Sequence, residues 1–278
     1  MNTYNELLQT AREFLNKNGV ADADLDAWYL LAHVFGIDRA DFFIYRNDVV
    51  SQEKALHYRM LIKKRASHIP LQYIIGRQEF MGLEFEVNEN VLIPRQDTEL
   101  LVEEVLKICQ GKSVLDMCTG SGCIIVSLAK LGSIKTAVGS DISIKAIELA
   151  EKNSKRHNVK VNFIQSDLFD SIVGSYDIIV SNPPYIKSAD LKTLMPEVKD
   201  HEPRQALDAG PDGLIFYKRI IDDIKRFLNP GGYVFFEIGY DQGEAVSNML
   251  DLSGFVDITI KKDFSDLDRI VHARKSFL

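Results

Sequence analysis

Val114-Leu115-Asp116-Met117-Cys118-Thr119-Gly120-Ser121-Gly122 runs from an apolar strand into a glycine-spaced turn, and residues 124–130 behind it have the pattern of a helix. Gly120 and Gly122 let the backbone bend tightly and approach a ligand closely. The N-terminus of the following helix offers free N–H groups at the same place. Thr119, Gly120, Ser121, Gly122 and Cys123 are therefore the first candidate binding residues. A glycine pair alone occurs in many strand-to-helix turns. This one gains weight from Asp141, nineteen residues beyond Gly122 at the end of the next strand, where a carboxylate can accept both hydroxyls of a ribose. Ile125 stands where a dinucleotide fingerprint needs its third small residue, and no Gly-Lys-Ser/Thr follows the turn. The expected ligand is a nucleoside without a pyrophosphate.

Downstream, strands at 136–140, 161–165, 177–181 and 233–238 alternate with helices at 144–157, 216–228 and 242–252. This alternation predicts an α/β fold, a parallel sheet covered by helices on both faces. The closing strands, 256–261 and 269–274, are joined by a link too short for a crossover helix, so one of them should run antiparallel. Two further constellations lie at strand ends. In Ser166-Asp167-Leu168-Phe169, Asp167 can take an adenine amino group, with Leu168 or Phe169 against the base; a plain turn aspartate is the simpler alternative. Ser181-Asn182-Pro183-Pro184-Tyr185 is more specific. Two prolines cannot continue a buried strand, and they stiffen the bend that leaves Asn182 at the strand's carboxyl end. The Asn182 side-chain oxygen and the Pro183 carbonyl can both accept from one NH2 group, and Tyr185 can pack its ring on a planar substrate.

Upstream, residues 1–75 read as a helical domain. Leu7, Leu8, Ala11, Phe14 and Leu15 recur at helical spacing, a second run carries Ala27, Leu30, Leu31 and Val34 up to Gly36, and Ser51 caps a third helix ended by Pro70. That third helix bears Lys54, Arg59, Lys63, Lys64 and Arg65 without an acid among them, which suits a solvated face better than a partner-binding stripe. Residues 76–94 read as a linker built on a β-hairpin turning around Asn88-Glu89-Asn90, and 95–278 as the domain of the sheet.

The 278 residues include 33 Lys/Arg and 40 Asp/Glu, a net charge of −7, which argues against a protein living by nonspecific phosphate neutralisation. No run of apolar residues is long enough for a membrane helix, and the N-terminal amphipathic pattern is not that of a signal peptide. Three cysteines without a C-x-x-C pair fit a reducing cytoplasm and point away from a disulfide framework or a zinc site; no metal is expected.

The pattern Asp116-x-x-x-Gly120-x-Gly122, the acid after the second strand and Asn182-Pro183-Pro184-Tyr185 resembles that of S-adenosylmethionine-dependent methyltransferases acting on exocyclic or amide nitrogen. Four more segments are similar to the release-factor glutamine N5-methyltransferases (the PrmC/HemK family): Pro70-Leu71-Gln72-Tyr73-Ile74-Ile75-Gly76, the run from Ile93-Pro94-Arg95 to Glu99, the run His201-Glu202-Pro203-Arg204-Gln205-Ala206-Leu207 with Gly210-Pro211-Asp212-Gly213, and Phe236-Glu237-Ile238-Gly239-Tyr240-Asp241-Gln242-Gly243. The resemblance implies a Rossmann-like seven-stranded methyltransferase domain behind a small helical bundle, with S-adenosyl-L-methionine as cofactor and peptide-chain release factors as partners. It implies Asn182, Pro183 and Tyr185 as catalytic, Asn182, Pro183, Pro184, Tyr185 and Arg95 at the substrate, and Thr119, Gly120, Ser121, Gly122, Cys123, Asp141, Asp167, Leu168 and Asn182 at the cofactor. The chain departs from the family in having Cys118 where Gly is usual and Gln96 where Pro is usual. At Cys118 either φ is negative or strain is tolerated. An adenine-N6 or guanine-N2 methyltransferase acting on DNA or RNA is the rival enzyme, weakened by the acidic balance and by the lack of a base-recognition module. A catalytically dead binding scaffold is the third reading, opposed by the intact Asn182-to-Tyr185 turn and Asp141.

Overall fold

Helix α1, Tyr4–Lys17, begins where Thr3 and Glu6 cap one another: the Thr3 hydroxyl accepts from the Glu6 N–H at 3.2 Å, and the Glu6 carboxylate accepts from the Thr3 N–H at 2.9 Å. The computed structural model describes residues 2–277. Helix α2, Ala23–Phe35, ends on Gly36, whose φ of 69° is the left-handed conformation that a helix stop favours. A short α3, Arg39–Tyr45, lies beyond the expected pattern; Asp38 and Asp41 form its capping box. Ser51 caps α4, Gln52–Ala66, as its sequence position suggests. Pro70 does not end that helix but opens α5, Leu71–Ile75, in keeping with its fixed φ and missing N–H. Leu7, Leu8, Leu15, Leu30, Leu31 and Tyr58 pack into the core that these helices share, and the buried Tyr58 hydroxyl donates to the Ala27 carbonyl at 2.9 Å.

This helical unit comprises Met1–Arg77 together with Met195–His201. Arg65 is 5% exposed and reaches Asp26 at 2.6 Å and Glu197 at 2.7 Å. The basic face read from the third helix therefore loses Arg65, which is consumed inside the unit.

The second unit comprises Gln78–Leu194 and Glu202–Leu278. Strands β1 (Arg77–Phe80) and β2 (Leu83–Glu86) form the hairpin, but it turns at Met81-Gly82 instead of around residues 88–90. Both turn residues have positive φ, 54° and 70°, the geometry that matches the twist of a two-residue hairpin. Met81 is a poor advertisement for such a turn, and the sequence pattern misplaced it. Asn88 instead closes a local turn, accepting from the Asn90 N–H at 3.0 Å. Phe80 and Phe85 are buried in the core of the sheet unit, and Asn153 ties the hairpin down by bonding both the N–H and the carbonyl of Glu86.

The remaining elements are α6 (Gln96–Leu106), β3 (Ser113–Met117), α7 (Cys123–Leu131), β4 (Thr136–Asp141), α8 (Ile144–Arg156), β5 (Asn162–Gln165), β6 (Tyr176–Ser181), α9 (Pro196–His201, within the helical unit), α10 (Ile215–Phe227), β7 (Leu228–Glu237), α11 (Gly243–Leu252), β8 (Phe255–Lys262) and β9 (Asp268–Lys275). The seven-stranded sheet has the order β5-β4-β3-β6-β7-β9-β8, with β9 antiparallel to both of its neighbours and the other pairings parallel. The strand inferred to run antiparallel is thus the last one, inserted between β7 and β8. Successive residues serve opposite faces: Leu115 and Met117 join one core, Val114 the other; Ile179 joins the first, Ile178 and Val180 the second. Burial on both sides is why these strands read as nearly unbroken apolar runs. The helical layers leave the carboxyl ends of β3, β4 and β6 open at one edge.

Candidate active site

A cavity of about 240 Å³ opens at those strand ends. Thr119, Gly120, Ser121 and Cys123 line it from the loop after β3, Asp141 from the end of β4, Asp167 and Leu168 from the loop after β5, and Asn182 and Pro184 from the turn after β6; Arg95 adds the N-terminus of α6. Gly122, Pro183 and Tyr185 do not line it. Gly122 has φ 79°, and a Cβ there would sit 3.0 Å from the Cβ of Ala150, so its smallness serves the packing of α8. Tyr185 packs on the core beneath, its hydroxyl 3.5 Å from Glu237 and its carbonyl accepting from Gln242 at 3.0 Å.

The loop after β3 is held by its own polar groups. The Thr119 hydroxyl donates to Asp116 at 2.5 Å, and the Thr119 N–H donates to the Ser140 carbonyl at 2.9 Å. Asp141 accepts from the Gly120 N–H on one oxygen and the Ser143 N–H on the other, both at 2.9 Å. Each carboxylate oxygen keeps a lone pair for a ligand. Cys118 has φ 61° and Leu168 has φ 49°, so strain is tolerated at the position where glycine was expected. Functional sites are where such strain gathers. The Ser121 and Ser140 hydroxyls, buried on the cavity wall, have no hydrogen-bond partner among the described residues.

Residues 6–76 match the PrmC N-terminal domain family and residues 95–210 the methyltransferase small domain family. A release factor glutamine methyltransferase of Geobacter sulfurreducens is 42% identical over 98% of this chain and 96% of its own length. The protein of that name from Fusobacterium nucleatum is 38% identical over 98% of this chain and 78% of its own. The chain belongs to the release factor glutamine methyltransferase family. Among solved structures, a methyltransferase from Pyrococcus furiosus superposes with a TM-score of 0.56 at 16% identity, covering 77% of this chain and 99% of its own, which shows a shared fold.

One residue of this family member's site, Arg219, carried no signal in the sequence pattern, and others have partners that the pattern did not show. Arg219 of α10 donates to Asp167 at 3.0 Å and lines the cavity beside Phe216. A separation of 52 residues hides such a pair from any local spacing rule. Thr98 reads as an N-terminal helix residue, yet its hydroxyl accepts from the Asn182 amide at 3.3 Å. Arg95 donates to Glu202 at 2.5 Å. Burial pushes the Glu202 carboxyl above its usual range in spite of that partner.

Two more carboxyls are fully buried without a cation at salt-bridge distance among the described residues. Burial pushes Asp116 up to about 7, against the opposing hydrogen bond from Thr119. Burial pushes Glu237 up to about 7 as well, opposed by hydrogen bonding from Thr98 and by the field of Arg269. Among the described residues no group of His, Cys, Asp or Glu is arranged to hold a metal ion, and no helix is long and apolar enough to cross a membrane.

Proposed function

We propose that the protein transfers a methyl group from S-adenosyl-L-methionine to the side-chain amide nitrogen N5 of a glutamine in a peptide-chain release factor, in the cytoplasm. The observation that carries this reading is the shared cavity of Asp141, the strained Cys118–Gly120 loop and the Asn182 turn, in a chain of the glutamine methyltransferase family. The cavity's chemistry fits the cofactor. Asp141 suits the ribose hydroxyls, and Asp167 beside Leu168 suits the base. The unpartnered Ser121 and Ser140 hydroxyls stand ready for further polar groups. Bound there, the cofactor supplies an electrophilic methyl on a sulfonium.

The chain's residues have to make a poor nucleophile react. An amide nitrogen's lone pair is delocalised into its carbonyl. Asn182 Oδ1 and the Pro183 carbonyl are the two acceptors for the substrate NH2 hydrogens in this reading. Accepting both favours a tetrahedral, positively charged nitrogen, and the proton leaves to water afterwards. Orientation of this kind contributes up to about 7–11 kcal/mol, and fixed acceptors add charge stabilisation present only in the transition state. The helical unit, matching the PrmC N-terminal domain, suits docking of a folded protein whose loop presents the glutamine.

Mass spectrometry after incubation with cofactor tests the reading. One added methyl on a release-factor glutamine is expected. No gain there, with clear methylation of DNA or RNA, overturns it in favour of a nucleic-acid methyltransferase. Asn182→Ala should lower turnover by about 10²–10³-fold, the range for losing one preorganised transition-state hydrogen bond, with little change in cofactor affinity.

A further inference from the structure

Glu237 is 1% exposed, ends β7, and takes no place on the cavity wall. Its backbone is pinned by the Tyr217 hydroxyl, which donates to the Glu237 carbonyl at 2.7 Å. Its side chain lies beneath the Asn182-to-Tyr185 turn. Oε1 is 3.5 Å from the Tyr185 hydroxyl, and the nearby Thr98 and Asn182 side chains favour the carboxylate. Oε2 is buried and has no hydrogen-bond partner among the described residues, which leaves it as an acceptor for the Thr98 hydrogen. Thr98 in turn stands 3.3 Å from the Asn182 side-chain nitrogen.

We propose that Glu237 is a positioning residue that, through the Thr98 hydroxyl, locks the Asn182 amide with its NH2 turned inward and its oxygen turned to the substrate. The inference rests on the reading of Asn182 as the acceptor for the substrate amide. Hydrogen-bond polarity fixes the orientation. An ionised carboxylate only accepts. The Thr98 hydroxyl has a single hydrogen, and if that goes to Glu237, only a lone pair is left for Asn182. Asn182 must then offer its NH2 to Thr98, which leaves Oδ1 free to accept from a substrate NH2. With the amide flipped, donor would face donor at the substrate and the acceptor would be lost. The same carboxylate takes the Tyr185 hydroxyl, so both ends of the motif lean on one buried acid.

Protonation reverses the chain. A neutral Glu237 can donate to Thr98, which frees the Thr98 hydrogen to donate to Asn182 Oδ1. The groups facing Glu237 are Thr98 and Asp97 from α6, Cys123 from α7, Asn182 and Tyr185 from the turn, Tyr217 from α10 and Arg269 from β9. Arg269 is engaged by Asp263 at 3.0 Å and Asp97 at 3.4 Å. Asp97 is the other carboxyl among them, and its field raises Glu237 further. Burial pushes Glu237 up to about 7, so its own protonation falls within the working range.

The test is steady-state kinetics on full-length enzyme with intact release factor across about pH 6–9, where such an ionisation shows in kcat. Wild type should lose kcat as the pH drops below about 7. Glu237→Gln, which can present either polarity, should lower kcat about tenfold and flatten that limb, with KM and calorimetric affinity for S-adenosylhomocysteine within about twofold. Thr98→Ser should keep most of the wild-type kcat, while Thr98→Val should fall with Glu237→Gln. Glu237→Gln with wild-type kcat and an unchanged acid limb overturns the proposal, and so does a loss confined to KM or cofactor affinity, which marks a merely structural role. A wild type inert on release factor at every pH removes the reading of Asn182 and this inference with it.

Discussion

In the helical unit the buried Arg65 guanidinium sits between Asp26 and Glu197 at 2.6 and 2.7 Å, and His68 reaches Glu197 at 3.3 Å, so these charges are paired among themselves. In the sheet unit Glu237 and Asp116 are buried more completely, yet neither has a cation at salt-bridge distance among the described residues. Burying a charge costs several kcal/mol before any pairing. The helical unit offsets part of that cost within itself, although burial still holds the Asp26 carboxyl above its ordinary value in spite of Arg65, and the result is an anchor for residues 195–201. The sheet unit leaves it standing at the carboxyl ends of β3 and β7, next to the strained loop and the Asn182 turn. Uncompensated burial is tolerated beside the proposed ligand cavity and is largely neutralised where the chain only has to hold together. Perturbed acids gather at functional sites for this reason.

Removing Arg65 should have the largest effect. Arg65→Ala should cost about 3–5 kcal/mol, because the buried Asp26 and the half-buried Glu197 lose their shared partner. Urea unfolding of the helical unit's transition would show it; a loss under about 1 kcal/mol, the worth of an exposed pair, would mean that these charges are not paired among themselves.

Glu237→Gln should act in the opposite direction. The ordinary carboxyl value is 4.5 and the folded value about 7, so across that window the folded chain keeps a proton that the unfolded chain releases. Stability therefore falls as the pH rises from 4.5 to 7, and the full cost, about 3 kcal/mol at 1.36 kcal/mol per pH unit, is present above 7. The variant should gain about that much at alkaline pH and little near pH 4.5, even as it loses turnover. Denaturant midpoints at the two pH values check the sign.

Asp141→Ala sharpens the contrast within the sheet unit. It should weaken S-adenosylhomocysteine binding by about 1.5–3 kcal/mol, the worth of hydrogen bonds to a charged acceptor, as read by calorimetry. An unchanged affinity would take Asp141 out of the binding site.

The smallest effect is expected at Cys118. With φ at 61°, Cys118→Gly relieves strain of about 1–2 kcal/mol in the folded chain and returns about 0.4–1 kcal/mol through the freer unfolded chain. A net stabilisation of about 0–1.6 kcal/mol should appear in thermal melts. A clear destabilisation would show that the side chain's packing outweighs its backbone strain.

Much of this architecture is legible in the chain's local patterns. Strand-helix alternation, the Gly120–Gly122 turn, Asp141 at the end of the second strand of the sheet and the double proline after Asn182 are written over short spans, because each depends on backbone conformation and burial of neighbours in sequence. They set the fold class and named the loops that converge on the cavity. The hairpin turn at Met81-Gly82 was misplaced because Met81 adopts a conformation its residue type does not announce. The short helices Arg39–Tyr45 and Pro196–His201 were missed because so few residues carry no readable period.

The sequence by itself determined the order of the sheet strands and longer helices, the strand ends that open on the cavity and the residue types that meet there. Tertiary structure alone decided which buried acids have partners. Arg65 meets Glu197 across 132 positions, Arg95 meets Glu202 across 107, and Asn182 meets Thr98 across 84. It also decided that Gly122 and Tyr185 serve packing beneath the cavity and that Arg219 reaches Asp167. The physical reason is that periodicity and capping act over a few residues, whereas the electrostatic state of a buried group is set by whatever the folded chain places within a few ångströms of it.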